Sequence, residues 1–253
     1  MRCLVILLLV LATANFSYAE TTAEEIIAKT WRLYRQVDNE KETVSVIVRG
    51  GGRIKEKVLT RWTKFNPNGE DKIIIKFSKP AIDKGLGLLI WRNPLGDKQW
   101  LKLPSMRRAR KISVNNQAKY FAGTDVTYED SRQLIGERTD DFNYREWGNE
   151  KDEYRIIEAV PKKGVSSGYS KRVFWIERQT FAVTRIEYYN RKGLLKIQHN
   201  QEIEIAGNGK WRVNRVAIEN MAVGRFTTIK ITERQVNTDL PPTIFTKRFL
   251  LKK

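Results

Sequence analysis

A chain of 253 residues with one cysteine, one histidine and a formal net charge of +18 excludes several classes at once. Zinc sites built from His and Cys need several of these residues, and a single Cys builds no disulfide framework. The excess of 47 Lys and Arg over 29 Asp and Glu leaves nucleic acid, an anionic membrane surface or an acidic protein as classes of partner.

Residues 1–19 open with Arg2, run apolar from Cys3 to Ala12 and close on Ser17-Tyr18-Ala19. This is the pattern of a secretory signal peptide cleaved after Ala19, with Glu20 as the first mature residue. The apolar run falls short of the roughly 20 residues that span a bilayer, and no other stretch approaches that length. Cys3 stands at the start of the apolar run rather than following it, so no lipid anchor is expected. Export removes nucleic acid from the partners. It leaves residues 20–253 as one domain without cysteine, held by its core, in keeping with a bacterial periplasm.

Thr22 to Val37 begins with Thr22 and carries Glu25 three residues later, the reciprocal box that starts a helix. Ile26, Ile27, Trp31, Leu33, Tyr34 and Val37 fall on one side of it, and Glu25, Lys29, Arg32 and Gln36 on the other. From Glu42 onward short runs of Val, Ile, Thr and aromatics are separated by turn clusters at 50–52, 66–69, 93–97, 190–193, 206–209 and 223–224. About eleven strands follow from this punctuation, and hairpin-length loops make the sheet antiparallel. Val44, Val46 and Val48 share one face, as do Ile73, Ile75 and Phe77. The run from Gly85 to Trp91 is apolar on both faces, so both must be covered. The tail from Leu240, with Pro241 and Pro242 followed by apolar residues, is expected to pack back on the body.

Arg107, Arg108, Arg110 and Lys111 put four cations into five positions after a strand at Asp97–Pro104. Three readings compete for this run: a solvated strand and turn, a site for headgroups or a protein partner, and a nucleic-acid strip. The neighbouring Asp125, Glu129 and Asp130 offer charge pairs that would hold their segment over the sheet. They are also the residues to which a hard cation or a carboxylate-pair chemistry would fall. His199 stands alone, and no Gly-x-Ser-x-Gly elbow occurs.

The succession of Pro80, Gly85, "WLKLP", "RRARKIS" and "FAGTDVTYED", with "VFWIERQTFAVTRIEYYNRKGLLKI" and "LPPTIFTKRFL" downstream, resembles the LolA-like outer-membrane lipoprotein-sorting proteins. The resemblance covers nearly all of the mature chain and is most specific from Trp100 to Asp130. It implies a mainly β fold: an incomplete antiparallel barrel with an N-terminal amphipathic helix and a loop or helix lid over an apolar cavity. Val126 stands where an aromatic is commoner, Lys102 where Tyr is usual and Ser131 where Leu is usual, which bears on how the cavity is lined. Trp31, Leu33, Trp62, Phe77, Trp91, Trp100 and Phe121 are the wall residues expected. Arg107, Arg108, Arg110 and Lys111 are those expected to meet headgroups or a partner.

The function implied is a periplasmic carrier or chaperone for the acyl chains of a lipoprotein or other lipid, with no cofactor and no covalent step. A membrane export transporter and transient contact with anionic membrane surfaces are the further partners expected. A sensor of the same fold, acting through a protein partner, is the rival reading, and a hydrolase of envelope glycans a third.

Overall fold

Alternation along the chain becomes a single antiparallel sheet in the computed structural model, which describes residues 21–93, 96–148 and 153–252. The expected signal peptide and Glu20 lie outside the described residues. The strands are β1 (Asn39–Gly50), β2 (Arg53–Lys64), β3 (Lys72–Lys79), β4 (Gly87–Trp91), β5 (Lys98–Lys102), β6 (Arg110–Lys111), β7 (Phe142–Glu146), β8 (Tyr154–Pro161), β9 (Lys171–Glu177), β10 (Val183–Asn190), β11 (Gly193–Ile205), β12 (Trp211–Asn220) and β13 (Arg225–Val236). They neighbour one another in the order β6, β5, β4, β3, β2, β1, β13, β12, β11, β10, β9, β8, β7. The sheet is mainly β and unclosed, as expected, with thirteen strands among the described residues rather than about eleven. A strand of two cations, such as β6, offers no alternation from which to read it.

The sheet has two faces with different covers. Val44, Val46, Val48, Ile73, Ile75 and Phe77 are all buried on one of them, the inner face, by period-two alternation. Helix α1 (Ala23–Tyr34) closes the β7–β12 half of that face with Ile26, Ile27 and Trp31. Burying such side chains contributes about 1.5–3 kcal/mol each. The helix starts as its sequence dictates, with Thr22 and Glu25 capping reciprocally, but ends at Tyr34 rather than Val37. Past the Arg35 cap the chain turns, and Val37 drops into the apolar cluster of the other half.

Because β6 and β7 are opposite edges, the chain between them must cross a face. It crosses the inner one, from Ile112 to Asp141, and carries α2 (Tyr128–Gln133). This crossing segment covers the β1–β4 half with Phe121, Leu134 and Ile135.

On the outer face, Ile74, Leu89 and Trp100 are buried beneath Phe245 and Leu250 of the tail, which includes α3 (Lys247–Leu251). This is what covers the second side of the Gly85–Trp91 run. Gly87 permits the approach: a Cβ there would stand 2.7 Å from Leu250 Cδ1 and 2.9 Å from the Ile75 carbonyl oxygen.

Candidate binding cavity

The inner face of β1 reads Val48, Val46, Val44 and then, in the same register, Glu42 and Glu40. Apolar wall thus passes into a buried charged cluster along one strand. Arg61 on β2 stands opposite Glu42 and binds it at 2.5 Å. On β13 a bulge at Thr232 shifts the register, so that Arg234 rather than Glu233 stands beside Glu42, at 2.9 Å. Arg212 on β12 pairs with Glu40 and also donates to the Tyr34 carbonyl. Burial works to raise the Glu42 carboxyl, but Arg61 and Arg234 outweigh it and hold the group below the ordinary carboxylate range. Burial, and then Glu40, push the Tyr34 phenol up.

Among the described residues, two cavities lie between this face and its covers. One, of about 110 Å³, lies between α1, the crossing segment and strands β10–β13, and is lined by Trp31, Tyr34, Ile186, Trp211, Val213, Val216, Ile218, Ile229 and Ile231, with Arg61, Arg212 and Arg234 at its charged end. The other, of about 70 Å³, is lined by Val44, Val46, Leu59, Ile75, Phe77 and Phe121. Arg61, Val126, Leu134 and Ile229 belong to both linings. Engineered apolar cavities near 150 Å³ take up benzene, and small-molecule sites usually run to roughly 300–1,000 Å³. Both spaces are smaller than such sites, and neither has room for a whole acyl chain with the covers as they stand.

Buried ionic contacts lock the crossing segment to the sheet. Asp125 accepts from Asn220 and Arg225, each at 2.8 Å, and from Thr227 at 2.5 Å. Asp130 accepts from Tyr169 at 2.7 Å and pairs with Lys196 at 2.5 Å. Glu129 accepts from Ser167 at 2.5 Å and from the Gly168 amide at 2.7 Å. Glu137 takes a two-point contact from Arg172, at 2.8 and 3.1 Å. Arg92 donates to the carbonyls of Arg132, Ile135 and Gly136 and so caps the end of α2. The three carboxylates do anchor their segment, but through Arg225, Lys196 and the Ser167–Gly168 turn rather than through the basic run. Among the described residues no carboxylate lies within ion-pair distance of Arg107, Arg108, Arg110 or Lys111, and all four side chains are exposed at or beside edge strand β6.

The seven expected wall residues separate into three groups. Trp31, Phe77 and Phe121 line the cavities. Leu33 is half-buried on the flank of α1, near Gly209. Trp62, Trp91 and Trp100 lie on the outer face under the tail, where the Trp91 indole donates to the Phe245 carbonyl at 3.0 Å. Alternation decides this, since Trp91 shares its parity with Leu89 and not with Leu88 and Ile90. Of Lys102, Val126 and Ser131, the three positions expected to bear on the lining, Val126 and Ser131 stand in it. His199 is on β11 between Gln198 and Asn200, which line the larger cavity, and so faces away from it. Sequence reasoning missed Arg61, Arg212 and Arg234. The available signal was that Glu40 and Glu42 continue the buried parity of three valines and therefore need cationic partners.

A family model described as uncharacterized protein matches residues 69–252. A domain from Vibrio parahaemolyticus, provisionally described as an outer-membrane lipoprotein-sorting protein domain, superposes with a TM-score of 0.83 at 24% identity, over 91% of this chain and 98% of its own. A DUF1329 family protein from Desulfovibrio piger gives 0.82 at 24% identity, over 90% of this chain and 97% of its own. A LolA superfamily protein from Nitrosomonas europaea gives 0.70 at 22% identity, over 91% of this chain and all of its own. No curated protein matches the chain. At these identities the solved structures speak for the fold alone.

Proposed function

We infer a function from the chain's membership: it belongs to the family of uncharacterized proteins whose model matches residues 69–252, and its fold is that of LolA-superfamily proteins. The reading is a periplasmic carrier or chaperone that shelters the acyl chains of a lipoprotein or another lipid on their way between membranes. The observation that carries it is the unfilled apolar space between the inner face and its two covers, at Trp31, Ile218, Ile229 and Ile231. A well-packed core leaves few voids larger than a water molecule. Walls left short of contacts gain them from hydrocarbon, at about 0.8 kcal/mol per CH₂ removed from water.

Loading and release take place without a covalent step. The crossing segment and α1 move apart from the sheet, the chain enters, and differential affinity among donor, carrier and acceptor sets the direction. A membrane export transporter as partner, and contact of the exposed Arg107, Arg108, Arg110 and Lys111 with anionic headgroups, complete the reading. The test is mass spectrometry of what co-purifies with the protein from periplasm. An acyl lipid or lipoprotein at stoichiometric amount is the expected result, and a protein that carries none and binds no apolar dye has a filled core.

A further inference from the structure

The sheet is unevenly sealed beside the larger cavity. β12 pairs with β11 along its whole length, from Trp211 to Asn220, but with β13 only from Arg215 to Asn220. β13 stays with β1 as far as Val236. Residues 211–214 and 231–236 therefore part, and side chains bridge the seam: Arg234 donates to the Val213 carbonyl at 2.9 Å and to Asn214 Oδ1 at 2.7 Å.

The charges behind this seam do not balance. Arg61, Arg212 and Arg234 meet two carboxylates, Glu40 and Glu42, which leaves one positive charge in surplus. Arg212 is only 6% exposed. Its Nε and Nη1 are engaged, and its Nη2 is buried with no hydrogen-bond partner while the side chain lines the cavity. A buried guanidinium with an unused donor is costly. Here the open donor and the surplus charge coincide at one end of a mainly apolar space, whose other polar members are Gln133, Gln198, Asn200 and Asp130, the last already paired with Lys196. Arg212 and Arg234 also border the groove outside the seam, with Lys210, Glu202, Glu204 and Glu233; these three carboxylates are exposed, and solvent screens their field.

We propose that this end of the cavity is a headgroup site for an acyl-chain amphiphile with a compact anionic group, a carboxylate or a phosphate monoester. One headgroup oxygen accepts from Arg212 Nη2, and the chain lies along Val216, Ile218, Ile229 and Ile231. The inference rests on the acyl-carrier reading and adds the class of cargo.

The test is displacement of the neutral dye N-phenyl-1-naphthylamine from the full chain stripped of lipid. Competitors are oleate, oleyl phosphate, oleyl alcohol and inorganic phosphate. Oleate and oleyl phosphate are expected to compete about tenfold better than oleyl alcohol, the worth of one charge-assisted hydrogen bond. In Arg212→Gln that preference should disappear, and Arg212→Lys, which keeps the charge for Glu40 but loses the planar donor fork, should diminish it. Equal competition by oleate and oleyl alcohol in the parent protein overturns the headgroup site while leaving the carrier reading in place, and needs no variant that folds. Competition by inorganic phosphate as good as that of oleyl phosphate also overturns it, because the site then takes a free anion. Retention of the full preference in both Arg212 variants removes the assignment to Arg212. Failure of all three chain compounds to displace the dye sinks the carrier reading itself.

Discussion

Lys196 Nζ donates at 2.5 Å to Asp130 Oδ2 and at 2.9 Å to the Asp125 carbonyl, so one ammonium on β11 ties two points of the crossing segment to the sheet. Both side chains are buried, Lys196 almost wholly. Removing one partner of such a pair strands the other charge, at about 3–5 kcal/mol. Lys196→Met should therefore lower the unfolding free energy in urea by that order. Lys196→Met combined with Asp130→Asn should recover part of the loss, because no lone charge remains. A single-variant loss below about 1 kcal/mol, in the range of surface pairs, would place the anchoring of this segment elsewhere.

The pH dependence of stability should have two limbs of separate origin. Glu42 titrates below its ordinary range when folded, so its contribution is complete above the unfolded carboxylate value of about 4.3 and is lost as pH falls through the lowered folded value. Asp71 works against this, since burial raises its carboxyl and its contribution fades as pH rises through the raised value. Burial, and after it Asp130, hold the Tyr169 and Tyr188 phenols well above their usual range. What they contribute is intact below about pH 10 and lost above it. Urea midpoints measured across pH should show Glu42→Gln flattening only the acid limb and Tyr188→Phe only the alkaline one. An acid limb equally steep in Glu42→Gln would remove Glu42 as its cause.

Much of the architecture is legible locally because period two is a local signal. Val44, Val46 and Val48 announce their face, and the Gly85–Trp91 run announces a cover on both sides, which the Phe245–Leu250 segment supplies. Parity does not say which face is inner, and for that reason Trp62, Trp91 and Trp100 read as cavity walls although they lie beneath the tail. The charged end of the cavity is less legible still. Glu42 meets Arg61 19 positions away and Arg234 192 positions away, through a bulge that no composition rule announces. Basic residues cluster in sequence at 107–111, whereas the cations that matter to the cavity cluster only in space.

Neutralising Arg107, Arg108, Arg110 and Lys111 together should leave the fold intact, since all four are exposed and unpaired among the described residues. Cations on a sheet edge also discourage pairing with a second copy. Binding to vesicles containing anionic lipid should weaken and lose most of its salt dependence, at about 1 kcal/mol per cation near the surface. Unchanged vesicle binding would confine the run to guarding the edge, and a shift toward dimers or aggregates in the quadruple variant would show that guarding directly.

Gly87→Ala tests the tail's seat on the outer face. The added methyl would meet Leu250 Cδ1, which can move, and the Ile75 carbonyl oxygen, which belongs to the adjacent strand and cannot move cheaply. A loss of about 1–3 kcal/mol is expected. Leu250→Ala in the same chain should not restore it, because the carbonyl contact persists and a cavity is added. Full rescue by Leu250→Ala would mean that the tail alone is displaced.

Val126 separates a carrier from a packed core most cleanly. It is half-buried on the crossing segment and lines both cavities. Val126→Phe adds a ring to the wall shared by the two spaces. If they are vacant hydrocarbon sites, the ring fills space and stability should rise by about 0.5–2 kcal/mol, as cavity filling commonly yields. Affinity for an apolar dye or a fluorescent fatty acid should fall at least tenfold in the same variant, because the ring occupies what the ligand would. If the region is instead close-packed, the same substitution overpacks it, and about 1–3 kcal/mol should be lost with no change in ligand binding. Trp31 cannot make this distinction. It packs on Tyr34 and Trp211 at 5.7 and 5.9 Å between ring centroids, inside the cluster that holds α1 to the sheet, so its removal damages fold and cavity together. Thermal midpoint and dye affinity measured on Val126→Phe move in opposite directions under the carrier reading, and a fall in the midpoint with unchanged affinity would refute it.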